Sequence, residues 1–146
     1  MGYESWRRDG RIKAAIPDPD QVVKQLGRAL KDLRAAEAVS STDRTWAFTI
    51  AYHAMVRAGR ALMLSMGYLP TNLNSHRTVI EFAHGELGDR FGELLRRFDR
   101  MRRKRHDFIY DSENATTEHE AREAITAAQE LIQGIRERVG DPRPIS

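Results

Sequence analysis

The sequence contains no cysteine, which removes disulfides, thiolate nucleophiles and cysteine-ligated zinc in one step. It also lacks any long apolar run, and nothing in it approaches the ~20 residues needed to span a bilayer. The opening Met1-Gly2-Tyr3-Glu4-Ser5-Trp6-Arg7-Arg8 has no apolar stretch after its charges, so no secretory signal is expected. There is no internal repeat, no phosphate-binding glycine loop, no dinucleotide-binding glycine pattern and no nucleophile elbow. The histidines, His53, His76, His84, His106 and His119, show no metal-ligand spacing with one another or with a carboxylate. Neither a metal nor a cofactor is expected, and the absences together point to a cytoplasmic chain with no membrane partner.

What remains is the composition of a globular protein. The chain has 146 residues, of which 40% are hydrophobic and 31% charged. That length suits one domain with a sizeable core, and that balance separates it from disordered chains. Formal net charge is only +3, yet the sequence pI is about 9.5 and the positive charge is unevenly placed. Arg96, Arg97, Arg100, Arg102, Arg103, Lys104 and Arg105 stand against the single acid Asp99. Such a run is either a solvated helix face or a surface suited to phosphate.

Hydrophobic spacing predicts helices throughout, with no sustained period-two alternation. Residues 1–17 read as a loose arm that holds one short helix around Tyr3 to Arg8. A first long helix is predicted from about Asp20 to Val39, with Pro19 near its start and Val22, Leu26, Ala29, Leu30 and Leu33 at helical spacing. Ser41-Thr42-Asp43 signals the start of a second, running to about Met66 before Gly67. Its small residues, including Ala47, Ala51, Ala54, Ala58 and Gly59, allow close approach on several sides and predict the central helix of the fold. Ser75 caps a short third helix carrying Val79, Ile80 and Phe82. Asp89 opens a fourth reaching about Tyr110. A fifth follows Thr116-Thr117 to Val139, with Ala121, Ala124, Ile125, Ala128, Ile132 and Ile135 on one stripe. Asp141-Pro142-Arg143-Pro144 ends it, and 141–146 form a tail. The fold class is all-α, an up-and-down bundle of about five helices over residues 18–140.

The fourth helix carries the most information. At about 100° per residue, Phe91, Leu94, Phe98, Met101, Phe108 and Ile109 fall on one side, and Arg105 falls among them. Arg96, Arg97, Arg100, Arg103 and Lys104 fall on opposite or flanking faces. An arginine inside an apolar stripe needs partners, because an unpaired buried charge is costly. Three outcomes are open: a buried carboxylate (Asp107, Asp111 or Glu81), a head group that snorkels past the apolar edge, or a cleft that takes an anion. His53 and His76 read as core or capping histidines.

Several stretches together resemble a known family. Ala51-Tyr52-His53-Ala54-Met55 leads into Ala58-Gly59-Arg60-Ala61-Leu62 and Gly67-Tyr68, then Ser75-His76-Arg77-Thr78-Val79-Ile80. Arg102-Arg103-Lys104-Arg105-His106-Asp107-Phe108-Ile109-Tyr110-Asp111 follows. With Trp6-Arg7-Arg8-Asp9-Gly10-Arg11-Ile12 and Ala29-Leu30-Lys31-Asp32-Leu33-Arg34-Ala35-Ala36, this order resembles the prokaryotic HEPN domain families found beside minimal nucleotidyltransferases or in toxin–antitoxin and defence loci. The resemblance covers about residues 5 to 140. It implies a helical bundle that works as a homodimer, bringing the motif of each protomer to a shared cleft. Active members of the family are metal-independent endoribonucleases with an arginine followed some positions later by a histidine. In them the ribose 2′-hydroxyl attacks the adjacent phosphate, which calls for a proton acceptor and a cation.

In this chain the motif aligned on Arg105 ends at Tyr110, with His106 directly after the arginine. Tyrosine ordinarily titrates near ~10 and histidine near ~6.5, so the tyrosine is a poor proton shuttle at neutral pH. Arg100 to His106 fits a looser version of the spacing, but Arg100 points away from the apolar stripe. The resemblance implies Arg105, His106 and Tyr110 as catalytic candidates, with Arg100, Arg102, Arg103 and Lys104 as RNA contacts. Three functions stay open: a module that binds RNA or nucleotide or pairs with a nucleotidyltransferase-type or antitoxin partner, a ribonuclease of the toxin or defence kind, and a structural bundle whose arginines only solubilise.

Overall fold

The computed structural model describes residues 2–110 and 116–140, with only the backbone described for 106–110. In chain order the elements are α1 (Glu4–Arg8), β1 (Ile12–Ala14), α2 (Pro19–Val39), α3 (Arg44–Ser65), β2 (Tyr68–Pro70), α4 (Ser75–Leu87), α5 (Gly92–Tyr110) and α6 (Glu118–Val139). A single 3-10 turn, Asp89–Phe91, precedes α5. The architecture is an all-α bundle, as the hydrophobic spacing predicts. The 141–146 tail and the partners Asp107 and Asp111 suggested for Arg105 lie outside the described residues or side chains.

The helix ends follow local chemistry. The Asp18 carboxylate accepts from Gln21 N at 3.2 Å, and the Asp43 carboxylate accepts from Trp46 N at 2.9 Å, so α2 and α3 start where a short acceptor meets an otherwise unpaired backbone donor. At α6, Thr117 and Glu120 exchange reciprocal bonds in a capping box. After α3 the chain reverses at Gly67, whose φ of +89° is open to glycine at no steric cost.

Helix α3 is central. It packs against α2, α4, α5, α6 and β2, and Ala47, Ala51, Ala54, Ala58 and Ala61 are all buried. Small side chains on several faces permit this, since each partner helix can approach close to the α3 backbone. Around it α2 contributes Val22, Leu26, Ala29 and Leu33, α6 contributes Ala124, Ala128, Leu131, Ile132 and Ile135, and α5 contributes Leu94, Leu95, Phe98 and Met101. Each large side chain so buried stabilises the fold by roughly 1.5–3 kcal/mol relative to exposure.

The structure departs from the sequence-based reading at four places. The N-terminal segment is not loose: Tyr3 is buried and stacked on Phe82 with ring centroids 4.5 Å apart, and its hydroxyl donates to Glu86. Residues Ile12–Ala14 pair antiparallel with Tyr68–Pro70, Ile12 opposite Pro70. Three-residue strands are too short to show an alternation, which is why spacing does not reveal them. At α4 the cap position is Asn74, left-handed at φ +49° and without a side-chain cap bond, and Ser75 is the first helical residue. Finally, Asp89 opens the 3-10 turn rather than the helix itself, which begins at Gly92.

Candidate functional site

Helices α3, α4 and α5 converge at one place, and each delivers a polar side chain there. From α3 comes Tyr52, fully buried and packed edge-on against Phe98 of α5. The first turn of α4 supplies His76, whose Nδ1 lies 2.8 Å from the Tyr52 hydroxyl. The guanidinium carbon of Arg105, on α5, sits 5.6 Å from the centre of the Tyr52 ring. His53, next to Tyr52 on α3 and only partly covered, has its ring centre 6.4 Å from that of His76.

Two clefts meet at His76. One, of about 600 Å³, opens between the start of α4 and the middle of α5 and is lined by Arg77, Arg102, Arg103 and Arg105 together with Asn72, Asn74 and His76. No carboxylate is among the described residues that line it. Helix α4 begins here with no side-chain cap and no acid in its first turn, so the positive end of the helix adds to the field of the arginines. The other cleft, of about 630 Å³, runs between α2 and α3 and is lined by Gln21, Gln25, Trp46, Ile50, His53 and His76, with Arg57 and Arg60 also present.

The electrostatics follow from this crowding of cations around the rings of Tyr52, His53 and His76. His76 is pushed down to about 4, first by burial and then by Arg105, His53, Arg60 and Arg102. His53 is lowered as well, again by burial first and Arg105 next, with Asp32 opposing. Burial drives the Tyr52 phenol well above its ordinary range, although Arg105 and Arg102 pull the other way. At neutral pH both imidazoles are therefore neutral and the phenol keeps its proton.

The residues expected from sequence fall into distinct places. Arg102, Arg103 and Arg105 share the cleft with His76. Arg100 lines an adjoining cleft of about 440 Å³, which also takes in Arg77, Arg96, Arg102 and Arg103. Lys104 turns to α6, where it pairs with Glu120. His106 and Tyr110 lie on the helical backbone of α5, but their side chains are outside the described part. Most of the arginines have acidic neighbours: Arg102 and Arg103 share Asp99, Arg100 shares Glu93 with Arg96, and Arg77 takes Glu81. Arg105 pairs with no carboxylate among the described residues. Glu81, one of the partners considered for it, is held instead by Arg11 at 2.7 Å and Arg77 at 2.8 Å. Arg105 lines the cleft it shares with His76, and Asp107 and Asp111, the other carboxylates considered for it, lie outside the described side chains.

Sequence reasoning missed the Tyr52–His76 pair. The two residues lie on different helices, and no spacing rule joins them; the one hint was a histidine at the start of a helix beside a loop. No group of three or more His, Asp or Glu suited to a metal ion occurs among the described residues. The chain matches the family model of the HEPN domain over residues 22–138. No curated protein and no solved structure matches it.

Proposed function

This chain belongs to the HEPN domain family, and we propose that within it the chain acts as an RNA-binding module that holds phosphodiester groups on the arginine-lined face of α4 and α5. The observation that carries this reading is the cleft of Arg77, Arg102, Arg103 and Arg105, with no carboxylate in its described lining. Arg77, Arg102 and Arg103 also hold Glu81 or Asp99, acids that stand outside this cleft's lining, whereas Arg105 pairs with no carboxylate among the described residues. Arginine suits the task because its planar fork matches two phosphate oxygens at once.

Binding built on such contacts releases counterions, so affinity falls steeply with salt. If four arginines each neutralise one phosphate of a single strand, raising the salt from about 50 to 200 mM weakens binding on the order of 50-fold. The test is anisotropy of a short fluorescein-labelled single-stranded RNA across salt concentrations. Affinity unchanged by salt would sink the reading.

A second reading, a metal-independent endoribonuclease, is favoured by one observation: an imidazole, His76, lines the same cleft as Arg105. It predicts cleavage in excess EDTA by the wild type and none by Arg105→Ala. Incubating the same RNA with both proteins separates the two readings, since a binding module leaves the strand intact in either case.

A further inference from the structure

We propose that Tyr52 and His76 form a fixed, neutral hydrogen-bond donor for a phosphate oxygen: the Tyr52 hydroxyl occupies Nδ1 of His76, and Nε2–H is left to meet the phosphodiester beside Arg105. This rests on the RNA-binding reading above and names the residues that hold the phosphate there.

Tyr52 is fully buried, and a buried hydroxyl hydrogen needs an acceptor. The acceptor the structure provides is His76 Nδ1, at 2.8 Å. A neutral imidazole has one nitrogen that accepts and one that donates. With Nδ1 accepting from the phenol, Nε2 carries the proton. The opposite tautomer would place Nδ1–H against the phenol oxygen and leave the Tyr52 hydrogen without an acceptor among the described residues. Tyr52 is itself held by Phe98 and lies beneath the Arg105 guanidinium, so ring, phenol and guanidinium are arranged before any ligand arrives.

The charge state agrees with this geometry. The groups around His76 are Tyr52, His53 and Arg60 from α3, Arg102 and Arg105 from α5, and Arg77 beside it on α4. With burial, this cationic surround keeps the imidazole neutral far below pH 7. The division of labour is clear: Arg105 supplies charge and His76 supplies direction. A protonated Nε2 has no lone pair for a 2′-hydroxyl proton, so this histidine binds the phosphate and is not a general base.

The experiment measures RNA affinity against salt for wild type, His76→Ala, His76→Gln, Tyr52→Phe and Arg105→Ala, with thermal melts to confirm folding. Long-range proton–nitrogen spectra of the imidazoles in the free wild type and Tyr52→Phe accompany it. The wild-type His76 ring is expected as the Nε2–H tautomer, and Tyr52→Phe as a mixture. His76→Ala is expected to bind roughly tenfold more weakly, the loss of a hydrogen bond to a charged group. Its salt dependence should match the wild type, because no charge has been removed. Arg105→Ala should instead lower the slope by about 0.7. The amide of His76→Gln should restore part of the affinity, and it serves as the test variant if the alanine protein does not fold. An Nδ1–H ring in the wild type, a reduced salt slope in His76→Ala, or equal affinity with and without His76 would each overturn the proposal. So would EDTA-resistant cleavage that depends on His76. A wild type that binds no RNA at all fails differently, because it removes the parent reading as well.

Discussion

At Gly59 the α3 backbone meets α4 so closely that an added Cβ would stand 2.3 Å from Val79 Cγ1. Val79 is fully buried and β-branched, so it has little freedom to swing away. Gly59→Ala is therefore expected to destabilise the protein by about 1–3 kcal/mol through overpacking, seen as a lower midpoint in urea unfolding with unchanged slope. An unaltered midpoint would show that α3 and α4 separate without cost. The sequence marks Gly59 as one of a run of small residues, but nothing in it names Val79 as the neighbour. Arg105 has the same partial legibility. Its place among Leu94, Phe98 and Met101 identifies it as an unusual charge, and its ring partner Tyr52, on another helix, is found only in three dimensions.

The N-terminal segment illustrates the same limit for whole elements. Tyr3, Trp6, Tyr68 and Phe82 form one aromatic cluster, Arg11 lies over the Trp6 ring at 4.4 Å, and Arg11 also binds Glu81 and Thr78. Residues 2–14 thus pack against α4 through Phe82, Glu86, Thr78 and Glu81. Their deletion is expected to cost several kcal/mol, from the buried apolar surface of Tyr3 and Ile12 alone, and to raise binding of a hydrophobic dye to the exposed Phe82 and Tyr68. A truncated protein that melts with the full-length one would contradict this. The long helices were legible because a stripe repeated over many turns and a capping side chain are both local signals: Asp43 for α3 and the Thr117–Glu120 box for α6. The strand pair joins residues about sixty positions apart, and no local rule reaches that far.

For the molecule as a whole, several titrating groups act in the same direction. His76 is depressed from 6.5 to about 4 by burial and nearby cations. Burial raises Glu81 and Glu120, but Arg11 and Arg77 in the first case and Lys104 in the second outweigh it, leaving both below 4.5. In each case the unfolded chain binds protons at a pH where the folded one does not, so stability rises with pH across the interval. The histidine contribution is complete above about 6.5 and is lost on acidification toward 4, and the glutamates add to the loss below 4.5. Urea midpoints should fall steadily from neutral pH downward, and His76→Gln should flatten the upper part of that fall; a flat wild-type profile would count against the arrangement. The sequence by itself determined the all-α class, the central small-residue helix and the cationic character of α5, since each is written in spacing and composition along a continuous stretch. Only the tertiary structure decided which arginines share a cleft and that His76 faces Arg105 across Tyr52. Those contacts depend on the packing of α3, α4 and α5, and helix packing brings together residues that have no fixed separation in the chain.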